Sequence, residues 1–170
     1  MRRPANDSRP LLGLAVATVF GVGYAPVAPG TFGSAAGLLV WWLLPPSAAV
    51  QAVAIAAIFI AGCWSGSIAE RHFGRPDPGQ VVIDEVMGVL ITLFLNPVHG
   101  LHGLHGLLGL VGWKGALAGF LLFRVFDVIK PYPANKLERL HGGLGVMADD
   151  AMAGVYANLV LRAALHWVIG

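Results

Sequence analysis

Charge is what this sequence has least of. Charged residues make up 12% of its 170 positions, about half the share of an ordinary soluble domain. Hydrophobic residues reach 56% and mean hydropathy is +0.72, so much of the surface must face lipid or a partner. The net charge is only +2, and Arg and Lys form no long runs. Nucleic-acid binding by a basic surface is therefore not expected. There is one cysteine, Cys63, which excludes an internal disulfide. It lies in the apolar run AIAAIFIAGCW and reads as a small packed hydrophobe. A Cys-x5-Arg phosphatase loop is missing, because Ala69 stands six positions after Cys63. Alternating strand patterns are scarce, and no Cys/His set has zinc spacing. No hydrophilic linker or composition shift divides the chain, so one domain over 1–170 is expected.

The N-terminus imitates a signal peptide, with Arg2 and Arg3 before LLGLAVATVFGVG. That run passes straight into YAPVAPGTFGS without a small-x-small cleavage site, and is expected to be a buried or shallowly inserted helix. Seven helical stretches are predicted: Leu11–Gly23, Gly33–Leu44, Ala48–Ser67, Val81–Leu95, Gly115–Lys130, Pro133–Leu140 and Met147–Val168. The fold class is all-α, a compact membrane bundle of six to seven helices. Ser47, after Pro45-Pro46, is placed to cap Ala48–Ser67. That stretch is apolar for about twenty residues, enough to span a bilayer. Basic residues cluster at Arg2/Arg3/Arg9, Arg71/Arg75 and Lys130/Lys136/Arg139; if all face one side, that side is cytoplasmic.

The acids sit where a passive membrane protein would not put them. Of nine, Asp84, Glu85, Asp127, Asp149 and Asp150 lie at or inside apolar helices. An ionised carboxylate in such surroundings costs several kcal/mol or more unless paired or metal-bound. One alone could be a cap, as Asp149 would be; two adjacent pairs plus a fifth acid ask for a hard cation among them. Magnesium takes oxygen ligands and keeps room for water and phosphate. In FRVFDVIKP, Arg124, Asp127 and Lys130 follow at i, i+3 and i+6 on one helix. Arg offers a fork to phosphate and Lys a point charge, while Pro131 stops the helix. The loop GYAPVAPGTFGSAAG supplies Gly30 and Gly33 to bare backbone amides and Thr31 and Ser34 to add hydroxyls, before a helix start expected at Gly33 or Ser34. HGGLGVMADD is similar: a glycine turn, then acids at a helix start, with His141 able to donate a proton to a leaving oxygen or merely to cap and pack. DEVMG and DDAMAG echo each other faintly. His99, His102 and His105 recur at threes among glycines, which disfavours a rigid metal-binding helix.

GYAPVAPGTFGS, VVIDEVMG and FRVFDVIKPYPANKLERLHGGLGVMADDAMAG together resemble the phosphatidylglycerophosphatase A family, from about Gly21 to Gly154. The resemblance implies a helical enzyme of the bacterial inner (cytoplasmic) membrane, its active site facing the cytoplasm. It implies magnesium-dependent hydrolysis of phosphatidylglycerophosphate to phosphatidylglycerol and phosphate. It carries over Asp84, Glu85, Asp127, Asp149 and Asp150 as the acidic, metal-holding centre. Asp150, Asp149, Asp127 and His141 become catalytic candidates, and Thr31, Ser34, Gly30, Gly33, Arg124 and Lys130 phosphate contacts. The histidine tract is not part of the pattern. Rival readings are a small transporter or proton relay, which buried acids also suit, and a membrane scaffold packed through small residues. The DxDx[TV] motif of haloacid-dehalogenase-type phosphatases is absent. So are the Ser-Gly-His segment of vanadium-haloperoxidase-like lipid phosphatases and the DGxxAR array of CDP-alcohol phosphotransferases.

Overall fold

A computed structural model describes residues 9–95, 112–137, 140 and 142–169. The described residues are helical, without a strand. Among the described residues seven α-helices follow one another: α1 (Arg9–Ala17), α2 (Pro29–Leu43), α3 (Ala48–Phe73), α4 (Ile83–Leu93), α5 (Gly112–Ile129), α6 (Ala134–Leu137) and α7 (Gly143–Ile169), with a 3-10 turn at Val22–Tyr24. The all-α expectation holds. The histidine tract and His141 lie outside the described residues.

Several boundaries differ from expectation for local reasons. α1 stops at Ala17 rather than Gly23. The Thr18 hydroxyl donates back to the Leu14 carbonyl, and Val19 and Phe20 then turn to positive φ, which no continuing helix allows. α2 starts four residues before Gly33, because Pro29, with φ already fixed for a helix, occupies its first turn. α3 runs past Ser67 to Phe73, where Gly74 closes it at φ 69. Ser47 accepts from the Val50 amide at 3.5 Å, as a loose cap. α7 begins at Gly143, four residues early. Ser67 of α3 accepts from the Gly143 amide at 2.9 Å, so a neighbouring helix supplies the cap.

α2, α4 and α7 run parallel, while α3 and α5 run against them. α4 and α7 touch closely because Gly88 and Gly154 face each other: a Cβ on Gly154 would come within 2.6 Å of the Gly88 carbonyl. Phe123 of α5 fills the space over Gly88, and Val89, Leu90, Leu93, Ala157 and Leu161 complete that core. A second core joins α1, α3, α4 and α7 through Leu14, Ala17, Ala69, Met87, Val146 and Met147. At one end of the bundle, Asn158 donates to the carbonyls of Ile91, Thr92 and Phe94 at 2.8 to 3.0 Å, and Arg162 donates to that of Phe94. These bonds tie down the carbonyls around the end of α4, of which that of Ile91 also accepts from the Phe94 amide. The opposite end gathers the start of α2, the end of α3, the start of α4, the end of α5 and the start of α7. The acids are collected there.

The outside is apolar. Leu39, Val53, Ile60, Leu121, Val128 and Leu159 are all exposed. α3 and α7 are long and apolar enough to cross a membrane, and only 22% of the apolar window of α3 is buried in the bundle. A core helix of a soluble domain would be mostly covered.

Candidate active site

α4 presents Asp84 and Glu85 in its first turn. α7 presents Asp149 and Asp150 one and a half turns into its length, so neither is a helix cap, contrary to the expectation that they open the helix. Asp84, Asp149 and Asp150 are 6%, 4% and 3% exposed. The parallel register fixed by Gly88 and Gly154 sets Asp84 and Glu85 beside Asp150. One oxygen from each of these three lies within 4.8 Å of the other two.

Burial, joined by repulsion from Glu85, holds the Asp84 carboxyl well above its usual range. Burial likewise pushes Glu85 up to about 8, with Asp150 and Asp127 adding to the rise. Burial takes away hydration that would favour the charged forms, and the neighbouring carboxylates repel one another. Glu85 Oε2 and Asp150 Oδ2 are buried with no hydrogen-bond partner among the described residues. Two bare oxygens inside a three-carboxylate cluster, with no sulfur or imidazole in it, fit a hard divalent cation of the magnesium type.

Basic groups stand at the edge. Arg124 on α5 pairs with Asp127 one turn on and lies 4.0 Å from Glu85. Asp127 is close enough to Glu85 and Asp150 for its charge to act on both. Asp149 turns to another partner: Lys130 Nζ donates to it at 2.6 Å. Lys130 sits just past the end of α5 with φ 44, which swings its side chain toward α7. Of the five acids named from sequence, three cluster, Asp127 flanks them through Arg124, and Asp149 anchors Lys130.

The α2 residues occupy the first two turns of their helix, not a loop before it. The Ser34 hydroxyl is spent on the Gly30 carbonyl at 2.8 Å, and Thr31 is exposed. Gly30 and Gly33 lie against Glu85. A Cβ on Gly30 would come 2.2 Å from Glu85 Oε1 and 3.0 Å from Arg124 Nη1. These glycines thus admit α2 to the acidic centre. Sequence reading missed Asp77, whose charge acts on both Asp84 and Asp149. It sits in the Pro76-Asp77-Pro78 turn, at φ 40. An acid held between two prolines next to VVIDE was the available signal.

The sequence pattern of the phosphatidylglycerophosphatase A family matches residues 15–165. The chain belongs to the phosphatidylglycerophosphatase A family. Two proteins named phosphatidylglycerophosphatase A are similar to it. That of Haemophilus influenzae is 35% identical over 157 residues, covering 91% of this chain and 89% of its own. That of Escherichia coli is 34% identical over 159 residues, covering 91% and 85%. A Bacteroides thetaiotaomicron protein provisionally named phosphatidylinositol-3-phosphatase is 36% identical over 176 residues, covering all of both chains. No solved structure matches the chain. Membership in this phosphatidylglycerophosphatase A family makes the chain a phosphatase acting on a phosphate monoester, which sets aside the proton-relay and scaffold readings.

Proposed function

We propose that this phosphatase hydrolyses phosphatidylglycerophosphate to phosphatidylglycerol and inorganic phosphate, with magnesium, at the cytoplasmic face of a bacterial inner membrane. The observation that carries the chemistry is the pair of bare buried oxygens on Glu85 and Asp150, inside the three-acid cluster and next to Arg124. Family membership and the two relatives that bear the name support the substrate. The apolar exterior and the basic residues Arg71, Arg75, Lys130 and Lys136 near the acidic end support the location.

Asp84, Glu85 and Asp150 would hold the ion. Magnesium bound there would polarise the phosphate and favour ionisation of a coordinated water. The protein's own groups do the rest. Arg124, held by Asp127, and Lys130, held by Asp149, offset charge on the non-bridging phosphate oxygens. Asp127 takes the proton of the attacking water as the new P–O bond forms. The bond to the glycerol oxygen breaks, and that oxygen leaves with a proton; His141 is the sequence's candidate to give it. Gly30 and Gly33, close against Glu85, and the exposed Thr31 would form the α2 side of the phosphate site, while the hydroxyl of Ser34 stays bonded within α2.

One observation favours a second substrate. The relative named for a phosphoinositide phosphatase aligns over the whole of both chains, so phosphatidylinositol 3-phosphate is the alternative monoester. Phosphate release from both lipids by the purified protein in detergent, with magnesium and with EDTA, tests the proposal. Faster release from phosphatidylglycerophosphate, abolished by EDTA, is expected; a preference for the phosphoinositide, or release unaffected by EDTA, overturns it.

A further inference from the structure

The mechanism uses one oxygen of Asp149 and leaves the other. Oδ2 takes the Lys130 ammonium at 2.6 Å. Oδ1 is buried with no hydrogen-bond partner among the described residues, on a residue only 4% exposed. Asp149 is not one of the three acids whose oxygens converge on a single metal-sized space. A buried, charged acceptor left open is costly, so the arrangement suits a donor that arrives with the ligand.

Asp149 stands beside the acidic centre. Its charge acts on both Asp84 and Asp150, and Lys130, its partner, is placed to meet a phosphate oxygen. The two oxygens of one carboxylate share a carbon, so a group on Oδ1 lies next to a phosphate held by Lys130. The long flexible stem of Lys130 is the part that can give way as a headgroup enters.

Charge selects the kind of donor. A phosphate oxygen is excluded, because a carboxylate repels it. A second cation is disfavoured, because the Lys130 ammonium already stands 2.6 Å from the same carboxylate and would repel it. A neutral O–H fits, since it donates and brings no charge. The proposed substrates carry one. In phosphatidylglycerophosphate the carbon next to the phosphate-bearing carbon holds a free hydroxyl, and in phosphatidylinositol 3-phosphate ring hydroxyls flank the phosphate. Phosphatidic acid, also a phosphomonoester lipid, has an acylated oxygen at that position and no donor.

We infer that Asp149 Oδ1 accepts a hydrogen bond from the hydroxyl next to the phosphate-bearing carbon, and so selects these headgroups over phosphatidic acid. This rests on the reading of the substrate as a phosphomonoester lipid and adds to it a specificity-determining residue. One carboxylate oxygen holds the ammonium that meets the phosphate, and the other holds the hydroxyl beside it.

Paired substrates test it. Phosphate release with magnesium is compared for phosphatidylglycerophosphate and for its analogue with hydrogen in place of the headgroup's free hydroxyl. Wild-type kcat/KM should be about 30-fold lower for the deoxy analogue, the scale of a hydrogen bond to a charged acceptor, and phosphatidic acid should do no better. Asp149→Ala should be slow on both lipids and should discriminate by less than about twofold, as a double-mutant cycle requires of two groups that meet. Arg124→Ala should also be slow on both but should keep the preference, because it leaves Asp149 in place. Equal rates on the two lipids by the wild type would mean that water serves Oδ1, and would overturn the inference without any variant. An Asp149→Ala protein that keeps the full preference, or an Arg124→Ala protein that loses it, would overturn it too. If the wild type instead prefers phosphatidylinositol 3-phosphate, the substrate reading fails, and analogues of that lipid lacking either flanking hydroxyl decide the Asp149 contact by the same ratio. Release from neither lipid defeats both.

Discussion

At the scale of single residues, the acidic centre sets function against stability. A Glu85 carboxyl raised from 4.5 to about 8 favours the folded state while protonated. That contribution is whole below about 4.5 and is lost as the pH rises through about 8. The metal-free protein should therefore melt at a lower temperature at pH 9 than at pH 5.5, and magnesium should narrow the gap. Thermal melts in EDTA and in magnesium measure this; a melting point that rises with pH in EDTA would contradict it. Asp150→Asn removes one repelling charge. It should lower phosphate release by about 100-fold or more, the scale of losing a group that holds or orients a metal, while raising the melting point of the metal-free protein. Gly30→Ala would drive a methyl group to 2.2 Å from Glu85 Oε1, so Glu85 must move. Activity should fall about 10- to 100-fold, as for an ångström-scale misplacement. Gly79→Ala, with nothing within 4 Å of the added atom, should leave activity unchanged in the same assay.

At the scale of elements, helices were legible from apolar runs and proline breaks, but their ends were not. The start of α7 is fixed by Ser67, 76 residues away, and no local pattern records that. Because Gly143 became the start, Asp149 and Asp150 moved from a cap into the interior. The register of α4 on α7 was not read from sequence: DEVMG and DDAMAG echo each other only faintly, and the packing follows glycine, with Gly88 against Gly154 and Asp84 therefore beside Asp150. The partition of the acids was not legible at all. It depends on Lys130 reaching Asp149 and Arg124 reaching Glu85, contacts made by tertiary packing. At the other end, the Asn158 amide donates to the carbonyls of Ile91, Thr92 and Phe94, at and just past the end of α4. Asn158→Ala should cost about 1–3 kcal/mol, the range for orphaning buried polar groups, seen as a lower denaturation midpoint in detergent. No change in that midpoint would mean the α4 terminus finds other partners.

At the scale of the molecule, an apolar bundle carries its carboxylates at one end, where five helix termini converge. Composition announced the apolar exterior, and the residues that carry the family resemblance, Gly21 to Gly154, announced the chemistry. What composition could not announce is that an exposed apolar stripe of α5 and the acidic centre share one residue, Arg124. The central claim is that Asp84, Glu85 and Asp150 share one divalent cation. Manganese, whose bound and free forms differ in electron paramagnetic resonance, reads this directly in the purified protein. Wild-type protein should bind it at a site from which magnesium displaces it; Glu85→Gln and Asp150→Asn should lose that site, and Asp149→Asn should keep it. Manganese bound equally by the wild type and by a variant with all three acids amidated would contradict the account.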